Sequence, residues 1–194
     1  QNRYLLKLDF KNFFPNVKWP ALVHRLAKDS QYSSVELWIL GNLLCRKAWS
    51  TGALQLSIGA PSSPHVSNYV LHDFDSILTD FCSGCGVRYT RYADDLAFST
   101  SVPGTLDVVE QEVRRLLKEL DYLGLQLNDE KSINVSKKNR RTLVGLTLSN
   151  DGRASIGREA KRQLRLAVHR AALRTLAPSE VANLQGRLAF TYGV

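Results

Sequence analysis

The chain has 194 residues, of which 44% are hydrophobic and 23% are charged. This composition is typical of a packed soluble domain and excludes disorder over most of the chain. No apolar run approaches the roughly 18 residues that span a bilayer, and no basic-then-apolar leader opens the sequence. Because the three cysteines are an odd number, no disulfide framework is indicated, and we expect a reducing, cytoplasmic compartment.

The positive charge is concentrated in the last third of the chain. The formal net charge is +8, and residues 131–194 carry 13 Lys and Arg against three acidic residues. The preceding 130 residues are therefore close to neutral. This asymmetry indicates a polyanionic partner, with nucleic acid ahead of an anionic membrane, and a merely basic soluble surface is the alternative.

The first half of the chain alternates strands and helices, separated by glycine and proline turns. The apolar run over residues 3–9 predicts a buried strand that ends at Asp9. The other predicted elements are a helix over 21–28, a helix from Ser33 or Ser34 to about Trp49, a strand over 54–58, a rigid turn over 59–64 and a helix from Pro64, capped by Ser63, to Gly84.

The second half opens with a hairpin, in which strands over 87–92 and 96–100 flank Ala93-Asp94-Asp95. A helix with apolar residues from Leu106 to Leu123 follows, and Gly124 ends it. The remaining predicted elements are strands over 133–135, 142–148 and 154–156, a turn at Asn150-Asp151-Gly152, a basic helix over 158–175 and a last helix from Pro178 or Ser179. The chain is therefore of the mixed α/β class.

Three acidic residues stand at the ends of predicted strands. Asp9 closes the first strand, and Asp94 and Asp95 lie at the tip of the hairpin. If these strands are neighbours, the carboxylates converge and repel one another unless a cation neutralises them. Two Mg²⁺ ions about 3.5–4 Å apart could then assist an in-line displacement at phosphorus. The alternative for Asp94-Asp95 alone is an ordinary polar turn.

Four segments resemble the motifs of reverse transcriptases, in the right order. Tyr92-Ala93-Asp94-Asp95 is similar to the YxDD box, and Leu8-Asp9-Phe10-Lys11-Asn12-Phe13-Phe14-Pro15-Asn16 to the first catalytic motif. The other two are the turn over 59–64, followed by Ser67-Asn68, and the segment from Gly124 to Lys131. The resemblance is nearest to retron-type and related bacterial defence enzymes, and it implies RNA-templated DNA synthesis.

The resemblance also implies roles for individual residues around the metal. Asp9 and Asp94 would be the main ligands of two Mg²⁺ ions, which Mn²⁺ could replace, with Asp95 beside them. The backbone carbonyl of Phe10 would complete one metal site. Lys131 would donate a proton to the leaving pyrophosphate or bind a phosphate, and a solvated surface charge is the alternative.

Other residues would contact the nucleotide and the nucleic acid. Phe14 would be the aromatic gate that excludes the ribose 2′-hydroxyl, and of the Phe13–Phe14 pair one residue is expected in the core. The expected nucleotide contacts are Phe13, Phe14, Gly59, Pro61 and Ser62. The expected nucleic-acid contacts are Ser63, Tyr92, Arg91, Arg158, Arg162 and Arg165.

The same resemblance predicts the domain organisation. Residues 1–156 would form a polymerase palm, a small antiparallel sheet with helices on one face, and 157–194 the start of a basic helical thumb. Since the chain lacks methionine and finger motifs before Asp9, we expect a piece of a longer protein that is inactive in isolation. Ile58 replaces a glutamine of many relatives, and Leu143-Val144-Gly145 replaces the VTG of retron enzymes, so a sibling defence lineage stays open.

The expected partners are an RNA template, a DNA or RNA primer and deoxynucleotides, with a structured non-coding RNA and an effector protein of an antiphage defence system, and no membrane. Two other functions stay open: template-independent or protein-primed DNA synthesis, and a catalytically silent palm that only binds nucleic acid. Cys82 and Cys85 form a CxxC pair, which we interpret as incidental thiols, since zinc needs four ligands.

Overall fold

The computed structural model describes residues 2–139, 141–149 and 153–193. They form two compact units, Asn2–Asn134 and residues 135–193. The predicted division at residue 156 falls inside the second unit, because the strands that precede it belong with the helices that follow. Among these residues no helix combines the length and the apolar character that crossing a bilayer requires.

The first unit is built on an antiparallel sheet. Its strands are β1 (Tyr4–Asp9), β4 (Arg88–Tyr92), β5 (Asp95–Thr100) and β6 (Ile133–Ser136), in the order β4-β5-β1-β6, and the division between the units falls within β6. A separate two-stranded ribbon pairs β2 (Arg46–Lys47) with β3 (Leu54–Gln55). The helices are α1 (Phe13–Asn16), α2 (Trp19–Asp29), α3 (Ser34–Leu44), α4 (Ser63–Val70), α5 (His72–Gly84) and α6 (Thr105–Glu119).

Alternation along the strands separates the two faces of the sheet. Leu6 and Leu8 of β1 pair with Phe98 and Leu96 of β5, and all four are buried in one core with apolar residues of α5 and α6, such as Phe74. The neighbouring residues Lys7 and Asp9 point to the opposite face. The predicted palm-type arrangement of a small antiparallel sheet with helices on one face is thereby confirmed.

Two helical predictions are wrong in detail. The helix expected to run to Trp49 ends at Leu44, because Arg46 and Lys47 pair with β3 instead. The helix expected from Pro64 to Gly84 is divided at Leu71, whose ψ of 4° interrupts the α-helical geometry. Apolar periodicity continues across both places, and it does not report such local changes of the backbone.

The second unit contains β7 (Arg141–Leu143), β8 (Leu146–Leu148), β9 (Ala154–Ser155), α7 (Gly157–Ala172) and α8 (Pro178–Tyr192). The single strand predicted over 142–148 is wrong, because Val144 and Gly145 have φ of 47° and 78° and form a two-residue hairpin turn. Strand β8 then pairs with β9. The predicted turn at Asn150-Asp151-Gly152 lies outside the described residues.

Candidate active site

The pairing of β1 with β5 brings the acidic residues of two distant segments to one end of the sheet. Asp9 lies directly opposite Asp95 in the antiparallel register, which places their Cα atoms about 4.5–5.5 Å apart. The backbone N–H of Phe10 donates to the carbonyl of Asp94 at 3.1 Å, and this bond ties the hairpin turn to the end of β1. The three aspartates therefore lie together at one edge of the sheet, where β1 ends and β5 begins.

The surroundings of Asp94 disfavour its negative charge. Burial raises the pKa of the Asp94 carboxyl above its ordinary value of 3.8, and repulsion from Asp9 and Asp95 raises it further. The positive charge of Lys131 opposes this shift in part. A carboxylate held in such surroundings gains most from a nearby cation.

Two lysines supply positive charge at this edge. The Nζ of Lys131 lies 3.2 and 3.3 Å from the carboxylate oxygens of Asp9, and the Nζ of Lys7 lies 4.0 Å from Oδ1 of Asp95. Together with Leu8 and Ile133, these four side chains line a cavity of about 240 Å³. Lys7 was not among the predicted site residues, although it stands two residues before Asp9, and strand alternation places both on one face.

A short strand-like contact between two segments of the chain brings Lys131 close to Asp9. The backbone N–H of Lys11 donates to Gln126 and that of Asn128 donates to Asp9, both at 2.8 Å, on either side of the bridge between Phe10 and Leu127. A turn follows, in which the N–H of Lys131 donates to the carbonyl of Asn128 at 3.1 Å. The fourth motif thus lies alongside the first.

The donor set at this edge suits a hard divalent cation. Oxygen ligands from carboxylates are those that Mg²⁺ prefers, and the repulsion at Asp94 is the electrostatic condition that a cation relieves. Within residues 2–139, 141–149 and 153–193, no three Asp, Glu, His or Cys side chains already stand in metal-binding geometry. Asp9 is paired with Lys131 instead, so cation binding has to compete with this lysine.

The two phenylalanines after Asp9 have different surroundings. Phe13 is 3% exposed and stacks on Phe10 with ring centroids 5.6 Å apart. It is a core residue, so its predicted contact with the nucleotide is wrong. Phe14 is only partly buried, and its ring lies 5.2 Å from that of Phe13. The ring that could reach a bound sugar is therefore that of Phe14.

A buried side-chain hydrogen bond fixes the turn over 59–64. Gly59 has φ of 82°, a conformation that favours glycine, while Pro61 is exposed and Ser62 is half-buried. Ser63 is 1% exposed and donates its hydroxyl to the carbonyl of Ser57 at 2.6 Å. The predicted contact of Ser63 with nucleic acid is therefore wrong. Ser62, not Ser63, is the residue that precedes α4.

A backbone hydrogen bond connects the strand before this turn to the segment after α1. The N–H of Leu56 donates to the carbonyl of Val17 at 3.0 Å, and Gln55 forms a bridge with Lys18. The turn over 59–64 and the helix that carries Phe14 thus belong to one connected part of the first unit.

The arginines of β4 point to opposite faces. Arg91 is 6% exposed in its side chain and forms an ion pair with Asp75 of α5, so its predicted contact with nucleic acid is wrong. Arg88 is exposed, and alternation places it on the face that carries Asp95. Tyr92, at the end of the same strand, is 70% exposed and remains available for contact.

In the second unit, Arg158, Arg162 and Arg165 are exposed on α7, where their spacing places them along one stripe. Arg162 also contacts Glu159 at 3.2 Å.

The CxxC cysteines lie at the end of α5 in the first unit. Burial, followed by the charge of Cys85, raises the pKa of the Cys82 thiol to about 11. This thiol stays protonated at neutral pH, in agreement with an incidental role.

The raised pKa of Asp94 predicts a pH-dependent cost to stability. Because the folded-state pKa exceeds the unfolded value, the cost is absent below about 3.8 and complete once pH exceeds the folded-state pKa. Without divalent cations, Asp94→Asn should therefore raise the free energy of unfolding at pH 7, and the difference should vanish near pH 3. Urea unfolding across this pH range measures it.

Asp80→Asn is the matched control, since this aspartate is exposed on α5. It should change the free energy of unfolding at pH 7 by less than about 0.5 kcal/mol. If Asp94→Asn is destabilising at pH 7, the proposed crowding of negative charge at the sheet edge is incorrect.

Residues 1–148 match the sequence profile of the family described as reverse transcriptase (RNA-dependent DNA polymerase). The chain is 35% identical to the retron Ec83 reverse transcriptase of Escherichia coli, over 98% of this chain and 62% of that protein. It is 28% identical to the retron Ec86 reverse transcriptase of Escherichia coli, over 98% of this chain and 56% of that one. The chain thus spans less than two thirds of these relatives, which confirm the predicted retron-type resemblance.

Solved structures of low sequence identity share the fold. The foamy viral protease-reverse transcriptase in complex with dsDNA superposes with a TM-score of 0.55 at 18% identity, over 98% of this chain and 33% of that one. Apo telomerase from Candida tropicalis, truncated from its C-terminal domain, gives a TM-score of 0.54 at 20% identity, over 75% of this chain and 34% of that one. With its profile match over residues 1–148, the chain belongs to the reverse transcriptase (RNA-dependent DNA polymerase) family.

Proposed function

We propose that this chain is the palm, with the beginning of the thumb, of an enzyme that copies RNA into DNA. The observation that carries the proposal is the meeting of Asp9, Asp94 and Asp95 at one sheet edge, in a chain of this family. The substrates would be deoxynucleotides and the 3′-hydroxyl of a primer on an RNA template. The reaction joins this hydroxyl to the α-phosphorus and releases pyrophosphate.

In this proposal Asp9 and Asp94 would hold two Mg²⁺ ions, with Asp95 beside them and the Phe10 carbonyl as a further ligand. When bound there, such cations would supply the positive charge that activates the attacking hydroxyl and stabilises the leaving oxygen. Mn²⁺ could take their place. A bound cation would favour the ionised form of Asp94, because it offsets the burial and the repulsion that raise the pKa of this carboxyl.

In this proposal Lys131 has one role in the absence of a cation and another during the reaction. Its ammonium group balances Asp9 in the absence of a cation, at 3.2 Å. Its side chain is 61% exposed, so it can turn away to contact a phosphate or protonate the pyrophosphate as it leaves. Lys7, on the same face, would balance Asp95 in the same way.

Phe14, Gly59, Pro61 and Ser62 would form the surface around the incoming nucleotide. Tyr92, together with Arg158, Arg162 and Arg165, would contact the template and primer. Arginine contacts with phosphates depend on salt and carry little sequence information, so the choice of template would rest on other features. By analogy with the retron relatives, we propose a bacterial, cytoplasmic enzyme of a retron or related antiphage system, with a structured non-coding RNA and an effector protein as partners.

Primer extension on an RNA template tests the proposed function directly. With the protein in its full length, Asp9→Asn and Asp94→Asn should each lower the rate of DNA synthesis by about 10³-fold or more, because several kcal/mol of charge stabilisation are lost. Asp80→Asn is the control and should extend primers normally. Extension that survives both active-site substitutions would refute the mechanism.

The same assay separates the two alternatives. Synthesis that continues when the RNA template is omitted would favour a template-independent or protein-primed polymerase. Nucleic-acid binding without any extension would favour a silent scaffold. The intact set of three aspartates favours catalysis over the scaffold.

Substitution of Phe14 tests the proposed sugar gate. Phe14→Ala removes the ring that would clash with a 2′-hydroxyl, so incorporation of ribonucleotides relative to deoxynucleotides should rise by about tenfold or more. Phe13→Leu is the matched control, because it changes the neighbouring core ring and should lower stability without altering sugar selectivity. If Phe14→Ala keeps the original selectivity, the gate lies elsewhere.

A further inference from the structure

The guanidinium group of Arg91 joins helix α5 to the turn that carries Asp94. Its Nε donates to Oδ1 of Asp75 at 2.9 Å, and its Nη2 donates to Oδ2 at 2.5 Å. Its Nη1 donates to the carbonyl of Ala93 at 3.0 Å. One planar side chain therefore holds a helix carboxylate and the turn backbone at the same time, and only arginine has donors arranged for this.

A further hydrogen bond, besides those from Arg91, holds the carboxylate of Asp75 in place. The hydroxyl of Tyr89 donates to Oδ1 of Asp75 at 2.7 Å, and the ring of Tyr89 stacks on Phe98 of the core, with centroids 5.0 Å apart. Burial and then the charge of Asp75 raise the pKa of the Tyr89 phenol well above its ordinary value. Tyr89 therefore stays protonated and remains a donor across the working pH range.

The turn needs support from outside because its backbone is strained. Ala93 has φ of 52°, in the left-handed region that non-glycine residues seldom adopt. Such residues persist where surrounding contacts fix them. Here the carbonyl of Ala93 is bound by Arg91, and the carbonyl of the next residue, Asp94, is bound by the N–H of Phe10. The turn is thus held from the helix side and from β1.

Because of strand alternation, Arg91 contacts the turn from the core face of the sheet. Arg91 pairs with Leu96 of the core face, whereas Tyr92 pairs with Asp95 of the opposite face. The side chain of Arg91 is buried against the helices and does not point toward the face with the aspartates. Any influence of Arg91 on the candidate active site therefore passes through the Ala93 carbonyl.

We propose that Asp75 and Arg91 are positioning residues, which set the orientation of the Asp94 carboxylate by fixing the Ala93–Asp94 turn to helix α5. This inference rests on the proposed role of Asp94. It assigns to a buried ion pair a function in catalysis that does not involve contact with substrate or cation. The pair acts as a unit, so loss of either member releases the turn.

The variants Arg91→Lys and Asp75→Asn test this role in the full-length protein. Lysine keeps the charge but cannot bind Asp75 and Ala93 together. We expect each variant to lower kcat for primer extension by about 10- to 100-fold, as displacement of a reacting group does, with KM for deoxynucleotides within about threefold of the original. The double variant should lose no more than either single variant, because the pair is coupled.

Two readouts separate positioning from simple stabilisation. Amide hydrogen exchange of Phe10, whose N–H donates to the Asp94 carbonyl of the turn, should accelerate in both variants while that of β1 stays protected. The affinity for Mn²⁺, measured by electron paramagnetic resonance, should fall. Arg88→Lys is the matched control, on the same strand but the opposite face, and should change neither.

Three results would overturn the inference. They are an unchanged kcat in both variants, a loss of activity that follows only the fraction of unfolded protein, and exchange that rises equally across the whole sheet. Failure of the proposed function is distinguishable, because it would appear as DNA synthesis that survives Asp94→Asn. The exchange measurement does not depend on activity, so it still reports whether Arg91 fixes the turn.

Discussion

The antiparallel register between β1 and β5 is the constraint on which the candidate active site depends. It places Asp9 opposite Asp95 and keeps both on the face away from the helical core. A slip of one residue would turn Asp9 into the core and Leu8 out of it, which burial of the apolar face forbids. The same packing energy that stabilises the fold thus also holds mutually repelling carboxylates together.

Local patterns predicted most of the sheet, because its strands are short apolar runs that end at polar turns. The β4–β5 hairpin was predicted on this basis, but its turn was expected over Ala93-Asp94-Asp95. It contains only Ala93 and Asp94, because Asp95 already pairs with Tyr92. The errors arose where a backbone change leaves the apolar pattern intact. Neither the interruption at Leu71 nor the turn at Val144 alters the periodicity of the side chains.

The site residues divide in a similar way. The aspartates are recognisable from the sequence, because they stand at the ends of predicted strands and within segments that resemble reverse transcriptase motifs. Whether Arg91 and Ser63 face solvent depends on distant partners, Asp75 for the first and the backbone of Ser57 for the second. Lys7 could have been found, since alternation alone places it beside Asp9.

The gathered aspartates are expected to bind divalent cations. Anomalous diffraction from crystals soaked in Mn²⁺ measures this most directly, because it locates the metal without reference to activity. We expect Mn²⁺ to be bound by the carboxylates of Asp9 and Asp94, where it displaces the ammonium group of Lys131, and we expect no such signal in Asp94→Asn. Mn²⁺ found only elsewhere on the protein, with Lys131 still paired to Asp9, would contradict it.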